Sequence, residues 1–357
     1  MGFISQSLKK GKTMKKIDLL SSTLEEITNT MKELGEPAFR GKQFYQWMHQ
    51  KQIFEFDQMT NLSKKLIEKI KDIAVIQLPK IVEIQKSKLD ETQKFLFELK
   101  DGNMVESVLM KYKHGNTVCI SSQVGCKMGC KFCASTLDGW IRNLNPGEML
   151  AQVYQIQTYT QERVSNVVVM GTGEPLDNYD HLLTFIQMLT DEDGLHISQR
   201  NITVSTCGIV PKIEELAKEH LQITLALSLH ASTQKTREEL MPIATRYPMH
   251  EVVQACKNYF FETGRRITFE YGLVGGINDS PKEAEQLGKL IGGMNCHMNL
   301  IPINPIKERD YVQSDPKVIQ SFKNKLEKSG INVTIRREMG RDIDGACGQL
   351  RQKHLER

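Results

Sequence analysis

Between Asp18 and about Ile73, apolar residues recur three and four positions apart, as in TLEEITNTMKELG and KQFYQWMHQKQI, which predicts amphipathic helices. Gly35-Glu36-Pro37 and Asn61 supply the breaks. From Lys80 to Met110 the period shortens to two in IVEIQKSKLD, TQKFLFELK and MVESVLMKY, with polar turns at Asp90-Glu91 and Asp101-Gly102-Asn103. This predicts a meander of strands. After Thr117 the strand-like runs VCISSQ, VSNVVVMG, NITVSTCG, ITLALSLH, RITFEYGLV, HMNLIPIN and NVTIRRE alternate with helical patterns such as PGEMLAQVYQIQTYTQ, DHLLTFIQML and PKEAEQLGKLI. Six or seven such βα units predict an α/β fold, a parallel sheet curled into a full or partial (β/α) barrel, because parallel strands need crossover helices.

The organisation expected from these textures is a leader at 1–17, a small helical accessory domain at 18–79, connecting β-strands at 80–112, the partial barrel at 113–345 and a C-terminal loop and tail at 346–357. A composition of 39% hydrophobic and 25% charged residues excludes a disordered chain. A chain of 357 residues buries its core without disulfides, so eight cysteines need another explanation. No apolar run approaches the ~18–20 residues of a membrane span, and the N-terminus lacks the apolar stretch of a secretory signal, so the expected setting is a reducing cytoplasm with no membrane. The net charge of +4 is concentrated early, with sixteen Lys and Arg against eleven Asp and Glu in residues 1–90. That excess suits an anionic polymer, and equally a solvated helical face. Arg40, Lys42 and Lys64 are the candidates for phosphate contact.

In barrels of this type the loops after the strands carry the chemistry. The unusual residues fall there: Cys126-Lys127-Met128-Gly129-Cys130-Lys131-Phe132-Cys133, Gly171-Thr172-Gly173-Glu174-Pro175, Ser205, Ser228-Leu229-His230 and Asn304. Three cysteines spaced C-x3-C-x2-C suit a loop wrapped round an iron–sulfur cluster. Four thiolates would make an electron carrier, whereas three leave one iron open to an outside ligand. A zinc site completed by a distant residue and a chance cluster stay open at this point.

With the aromatic Phe132 before its last cysteine, this motif resembles that of the radical S-adenosyl-L-methionine (SAM) enzymes. VESVLMKYKHGNTVCISSQVGCKMGCKFC, SLHASTQKTREELMPI and DIDGACGQL narrow the likeness to the RlmN/Cfr methyltransferases, and FRGKQFYQWMHQKQIFEFDQMTNLSKKL resembles that family's N-terminal accessory segment. The resemblance spans about residues 20–350. It implies a radical SAM partial barrel, an RNA-binding helical domain, and Cys126, Cys130 and Cys133 as ligands of a 4Fe-4S cluster. Gly173, Glu174, Ser205, Ser228, Leu229, His230 and Asn304 are the implied SAM pocket. There Gly171 and Gly173 would permit backbone approach, and Glu174 would complement the charge of SAM's amino group.

The implied reaction methylates an unactivated adenine carbon in RNA and uses two SAM per turnover. One methylates Cys347. The other, cleaved at the cluster, gives a 5′-deoxyadenosyl radical that takes hydrogen from the S-methyl group, and the resulting methylene radical adds to adenine. Cys119 is the implied resolving thiol, leaving a disulfide to be reduced, and Glu106 the implied proton acceptor. Cys207, Cys256 and Cys296 lack such a pattern and read as packing residues. The implied partners are 23S rRNA, tRNA at the adenosine 3′ of the anticodon, and a reductant such as flavodoxin or ferredoxin, with the enzyme a monomer. Pro175 sides with the carbon-2 enzymes; the Cfr-type carbon-8 enzymes replace that proline. Two other classes remain: an iron–sulfur module without methylation, which would want a fourth cluster cysteine, and an RNA-binding scaffold without catalysis.

Overall fold

The computed structural model describes residues 16–304, 310–343 and 348–355. Three helices lead: α1 (Leu24–Glu33), α2 (Phe39–His49) and α3 (Lys64–Ile73). At the start of α1 the Glu26 amide donates to Thr23 Oγ1 at 3.2 Å and the Thr23 amide donates to Glu26 Oε2 at 2.8 Å. This reciprocal cap satisfies two amides that a helix start otherwise leaves unpaired. α2 packs on α1 at Gly41, where a Cβ would lie 2.6 Å from Thr28 Cα, so only glycine lets the two backbones approach.

Ten strands form the main sheet, and their spatial order is their sequence order. β1 (Lys80–Lys86), β2 (Gln93–Glu98), β3 (Met104–Tyr112) and β4 (Gly115–Ile120) pair antiparallel. β4 then pairs parallel with β5 (Val164–Val169). β6 (Ile202–Thr206), β7 (Thr224–Ser228), β8 (Ile267–Leu273), β9 (Cys296–Pro302) and β10 (Asn332–Ile335) continue in parallel. Helices span each parallel step: α4 (Pro146–Thr160), α5 (Tyr179–Thr190), α6 (Val210–Lys218), α7 (Gln234–Leu240) with α8 (Met249–Thr263), α9 (Pro281–Ile291) and α10 (Pro316–Lys328). β4 to β10 are the partial barrel that the alternation predicts. The meander of residues 80–112 hydrogen-bonds into the same sheet through β3 and β4, so it extends the sheet as well as linking the two parts of the chain.

Two helices escape the sequence pattern. α7 reads QKTREEL and buries only Arg237 and Leu240, so it shows no apolar stripe. α11 (Gln349–Leu355) lies in the segment expected to be a tail.

The N-terminal helices share one core with the barrel, since Ile27, Met31, Phe44 and Ile70 belong to the same buried cluster as Tyr154 and Leu182. Polar contacts fix the junction. Tyr154 Oη lies 2.8 Å from Nδ1 of the fully buried His49, Gln46 Nε2 donates to Asp193 Oδ1 at 2.9 Å, and Lys42 Nζ pairs with Asp193 Oδ2 at 2.8 Å. Of the residues expected to reach phosphate, Lys42 is therefore engaged with a carboxylate. Arg40 donates to Gln43 and to the Asn61 carbonyl, and Lys64 is exposed. No described helix is long and apolar enough to cross a membrane.

Candidate functional site

Beyond β4 a short hairpin, Gln123–Gly125 with Trp140–Asn143, closes the base of the cysteine loop. Gly125, at φ +72°, makes that closure: a Cβ there would overlap the Gly139 carbonyl. The Cys126 amide donates to Gly139 O at 2.9 Å and the Cys133 amide to Cys130 O at 3.2 Å, while Thr136 Oγ1 donates to the carbonyls of Cys130 and Cys133. The Lys131 amide donates to Leu240 O at 2.9 Å, which pins the loop to α7.

Cys126, Cys130 and Cys133 line one cavity of about 190 Å³ together with Gly173, Glu174, Ser205, Ser228 and His230. Burial pushes the Cys126 thiol up to about 12 and the Cys130 thiol well above its ordinary range. These thiols are neutral by themselves, and metal that takes them as thiolates must displace protons. No three His, Cys, Asp or Glu side chains among the described residues are placed to hold a single metal ion. Three cysteines that line one cavity at C-x3-C-x2-C spacing fit a polynuclear cluster with one position open.

The neighbouring loops are held by specific bonds. Glu174 is buried, accepting the Cys207 amide at 2.8 Å and the Leu176 amide at 3.0 Å. Burial raises its pKa, and a cation entering the cavity would favour the carboxylate again. Gly171 and Gly173 were expected to open the backbone to a ligand, but their missing side chains face protein. A Cβ on Gly171 would lie 2.7 Å from Ile120 O, and one on Gly173 2.7 Å from Gln123 Cβ. These glycines let the loop lie against the end of β4. Ser205 Oγ and Ser228 Oγ are 3.3 Å apart across β6 and β7.

His230, at φ +54°, accepts the Gly272 amide on Nδ1 at 2.7 Å, which assigns its hydrogen to Nε2. Burial holds its pKa down at about 3, so the ring is neutral, and it meets Phe132 edge-on with centroids 4.8 Å apart. Asn278, fully buried, donates to the carbonyls of His230 and Gly272 at 2.8 and 2.7 Å and fixes that turn. The Leu229 side chain is fully buried in the main core and lines neither this cavity nor the next, so only its backbone stands at the level of the site.

A second cavity, of about 240 Å³, shares Phe132, Cys133 and His230 with the first and is lined also by Cys119 and Asn304. Glu106 lies on β3, two residues before Val108, the register partner of Cys119. Its carboxylate pairs with the fully buried Lys94 at 2.9 Å and accepts the amides of Gly348 at 2.7 Å and Arg351 at 2.5 Å. Cys347 lies outside the described residues. Its neighbour Gly348, at φ +86°, packs so tightly on the turn after Cys133 that a Cβ would lie 3.0 Å from the Ser135 amide nitrogen. Arg351 then bonds Asp138 at 2.8 Å.

Sequence reasoning missed Lys94, Asn278 and Arg237; Cys207, read as a packing residue, is buried in an apolar cluster and also lines the cavity of the three thiols. The signal available was weak: a lysine in the apolar strand QKFLFE, and an arginine in a helix with no apolar stripe.

Residues 17–76 match the family described as the ribosomal RNA large subunit methyltransferase N-terminal domain, and residues 120–291 match the radical SAM superfamily. A protein of Lachnospira eligens, named a probable dual-specificity RNA methyltransferase RlmN, is 62% identical over 339 residues, covering 95% of this chain and 97% of its own length. The chain belongs to the RlmN family. Another RlmN relative, from Lachnoclostridium phytofermentans, carries the same description and is 57% identical over 342 residues, 96% of each chain. The crystal structure of a radical SAM methyltransferase from Sphaerobacter thermophilus superposes with a TM-score of 0.90 at 40% identity, covering 93% of this chain and 98% of that one. Membership of the RlmN family makes the protein a radical SAM RNA methyltransferase, whose superfamily works with a 4Fe-4S cluster and SAM.

Proposed function

We propose that the protein methylates carbon 2 of an adenosine in 23S rRNA and of the adenosine 3′ of the anticodon in tRNA, with Cys347 as methyl carrier and Cys119 as resolving thiol. The dual specificity named for its relatives supports the two RNA classes. A 4Fe-4S cluster on Cys126, Cys130 and Cys133, with SAM on its open iron, would supply the carbon radical that polar methyl transfer to an electrophilic adenine carbon lacks. Glu174, Ser205, Ser228, Asn304 and the Nε2–H of His230 are the polar groups disposed to hold SAM, beside Gly173 and the backbone of Leu229. Cys347 would take a methyl group from one SAM by displacement, and a second SAM would serve the radical step. After addition to the base, the adduct would return one electron to the oxidised one-electron centre and lose the proton of the substituted carbon to a base; the Cys119 thiolate would then attack the Cys347 sulfur, breaking its bond to carbon as the S–S bond forms, and methyladenine would leave, with a disulfide that an outside two-electron reductant must open.

One observation carries the reading: Gly348, next to Cys347 in sequence, is held by Glu106 and packs on the turn directly after Cys133, beside the cavity lined by Cys119. Glu106 is thereby a positioning residue, and its role as proton acceptor has to compete with three donors. Pro175, buried at the start of the turn Pro175–Asn178, stiffens the chain after Glu174 and favours the carbon-2 outcome. The helical accessory domain at 18–79 would meet RNA, and a monomer with flavodoxin or ferredoxin as electron donor in the cytoplasm completes the proposal. Chromatography of nucleosides from treated rRNA and tRNA against synthetic 2-methyl- and 8-methyladenosine tests it. We expect 2-methyladenosine from both RNAs; mainly 8-methyladenosine would overturn the regiochemistry, and unmethylated tRNA the second substrate.

A further inference from the structure

Arg237 has no exposed surface. Its Nη2 donates to the Cys207 carbonyl at 2.6 Å and its Nη1 to the Tyr247 carbonyl at 3.4 Å, while its Nε has no partner among the described residues. No carboxylate among the described residues forms a salt bridge with it. A buried guanidinium is ordinarily matched by a carboxylate or phosphate, because leaving it unmatched costs several kcal/mol.

What surrounds it is the cysteine site. Arg237 lies on α7, the helix to which the Lys131 amide ties the cysteine loop, and its carbonyl partner Cys207 lines the cavity of the three thiols. Burial lowers the Arg237 pKa, and negative charge on Cys207, Cys130 or Cys256 is what raises it again. Two of these groups, Cys130 and Cys207, line the cavity of the three thiols, so negative charge placed in that cavity would meet the guanidinium's field.

We propose that Arg237 is a fixed positive charge that offsets the negative charge of the iron–sulfur cluster on Cys126, Cys130 and Cys133 and so favours its reduction. The inference rests on the cluster reading above. Three thiolates around a 4Fe-4S core make an anionic centre. Reduction adds one electron from an external low-potential donor, breaks no bond, and increases that negative charge by one. A cation held nearby in a low-dielectric site stabilises the reduced form more than the oxidised form, and net charge near a cluster is one of the terms that set its potential.

The test is a redox titration of the reconstituted full-length protein, followed by electron paramagnetic resonance, with iron and sulfide measured first. Absence of iron and sulfide in the unsubstituted protein would refute the cluster reading, not the role of Arg237. Arg237→Gln removes the charge but also shortens the side chain. Arg237→citrulline, introduced by genetic encoding, removes the charge while keeping the shape and an N–H for the Cys207 carbonyl. Arg237→Lys keeps the charge. In cluster-loaded protein we expect Arg237→citrulline to disfavour reduction at least tenfold, 59 mV for one electron, and Arg237→Lys to stay within threefold of the unsubstituted protein. A purely structural role predicts the reverse order. A potential for Arg237→citrulline within threefold of the unsubstituted value would overturn the proposal, whether or not Arg237→Gln folds.

Discussion

Replacing Glu106 by alanine separates a residue that positions the C-terminal segment from one that accepts a proton. The carboxylate holds the amides of Gly348 and Arg351 at 2.7 and 2.5 Å, and it is the ion-pair partner of Lys94, which has no exposed surface. Hydrogen bonds to a charged acceptor contribute about 1.5–3 kcal/mol each, so the two amides together hold residues 348–355 by about 3–6 kcal/mol. At 1.36 kcal/mol per decade, losing them raises local opening by about two to four orders of magnitude. Taking the carboxylate from buried Lys94 costs about a further 3–5 kcal/mol of global stability, a large share of the 5–15 kcal/mol typical of a folded domain. Hydrogen exchange read by mass spectrometry on the peptide covering 348–355 measures the first effect, and the urea midpoint the second. In Glu106→Ala we expect exchange of that peptide to rise at least a hundredfold, methylation of Cys347 to fall with it, and the iron content to remain. Glu106→Ala with exchange at 348–355 within threefold of the unsubstituted protein, and with RNA crosslinked to protein accumulating, would refute the positioning argument and return Glu106 to proton transfer.

Alanine at any one of Cys126, Cys130 or Cys133 should remove the brown chromophore and SAM cleavage together, read by iron analysis and by 5′-deoxyadenosine release. Because burial raises the thiols of Cys126 and Cys130, cluster assembly must expel protons, and its initial rate, followed by visible absorbance, should rise as pH is raised from 7 to 9. His49 and His230 are held down at about 3 in the folded protein against 6.5 unfolded, so their contribution to stability is complete above pH 6.5 and is lost as pH falls toward 3. The slope is at most about 1.4 kcal/mol per pH unit for each histidine, and acid titration of the urea midpoint should lose much of it in His49→Gln. Neutralising exposed Lys64 should flatten the salt dependence of RNA binding by about one unit of slope, whereas Lys42→Ala, which removes a partner of Asp193, should mainly lower the melting temperature.

The barrel was legible because its periodicities are strong: runs such as VSNVVV can be buried only in a sheet covered on both faces, and each is followed by a helical stripe. α7 was not legible, because what it buries is an arginine and one leucine rather than an apolar face. The positions assigned to a SAM pocket carried over from a resemblance and not from chemistry, and the burial of each side chain explains where that transfer thins. Ser228 and His230 line the cavity of the three thiols, while Leu229 between them is buried in the core. The partners of Glu106 could not be read at all, since Gly348 and Arg351 stand more than 240 positions away and no local pattern announces a contact of that range.

The meander ahead of the barrel acquires its purpose from those distant contacts. If the sheet ended at β4, its edge would carry Cys119 but nothing to grip the end of the chain. β3 adds Glu106 and β2 adds Lys94. The turn between β1 and β2 adds Ser87 and Lys88, which donate to Asp342 at 2.6 and 2.7 Å, and Asp90, which accepts the Gly340 amide at 2.9 Å. The C-terminal segment is thus fastened to the meander at 340–342 and again at 348–351, on either side of the stretch that contains Cys347. Anchoring residues 340–342 lowers the entropic cost of anchoring residues 348–351, because the loop closed between two anchors so near in sequence is short.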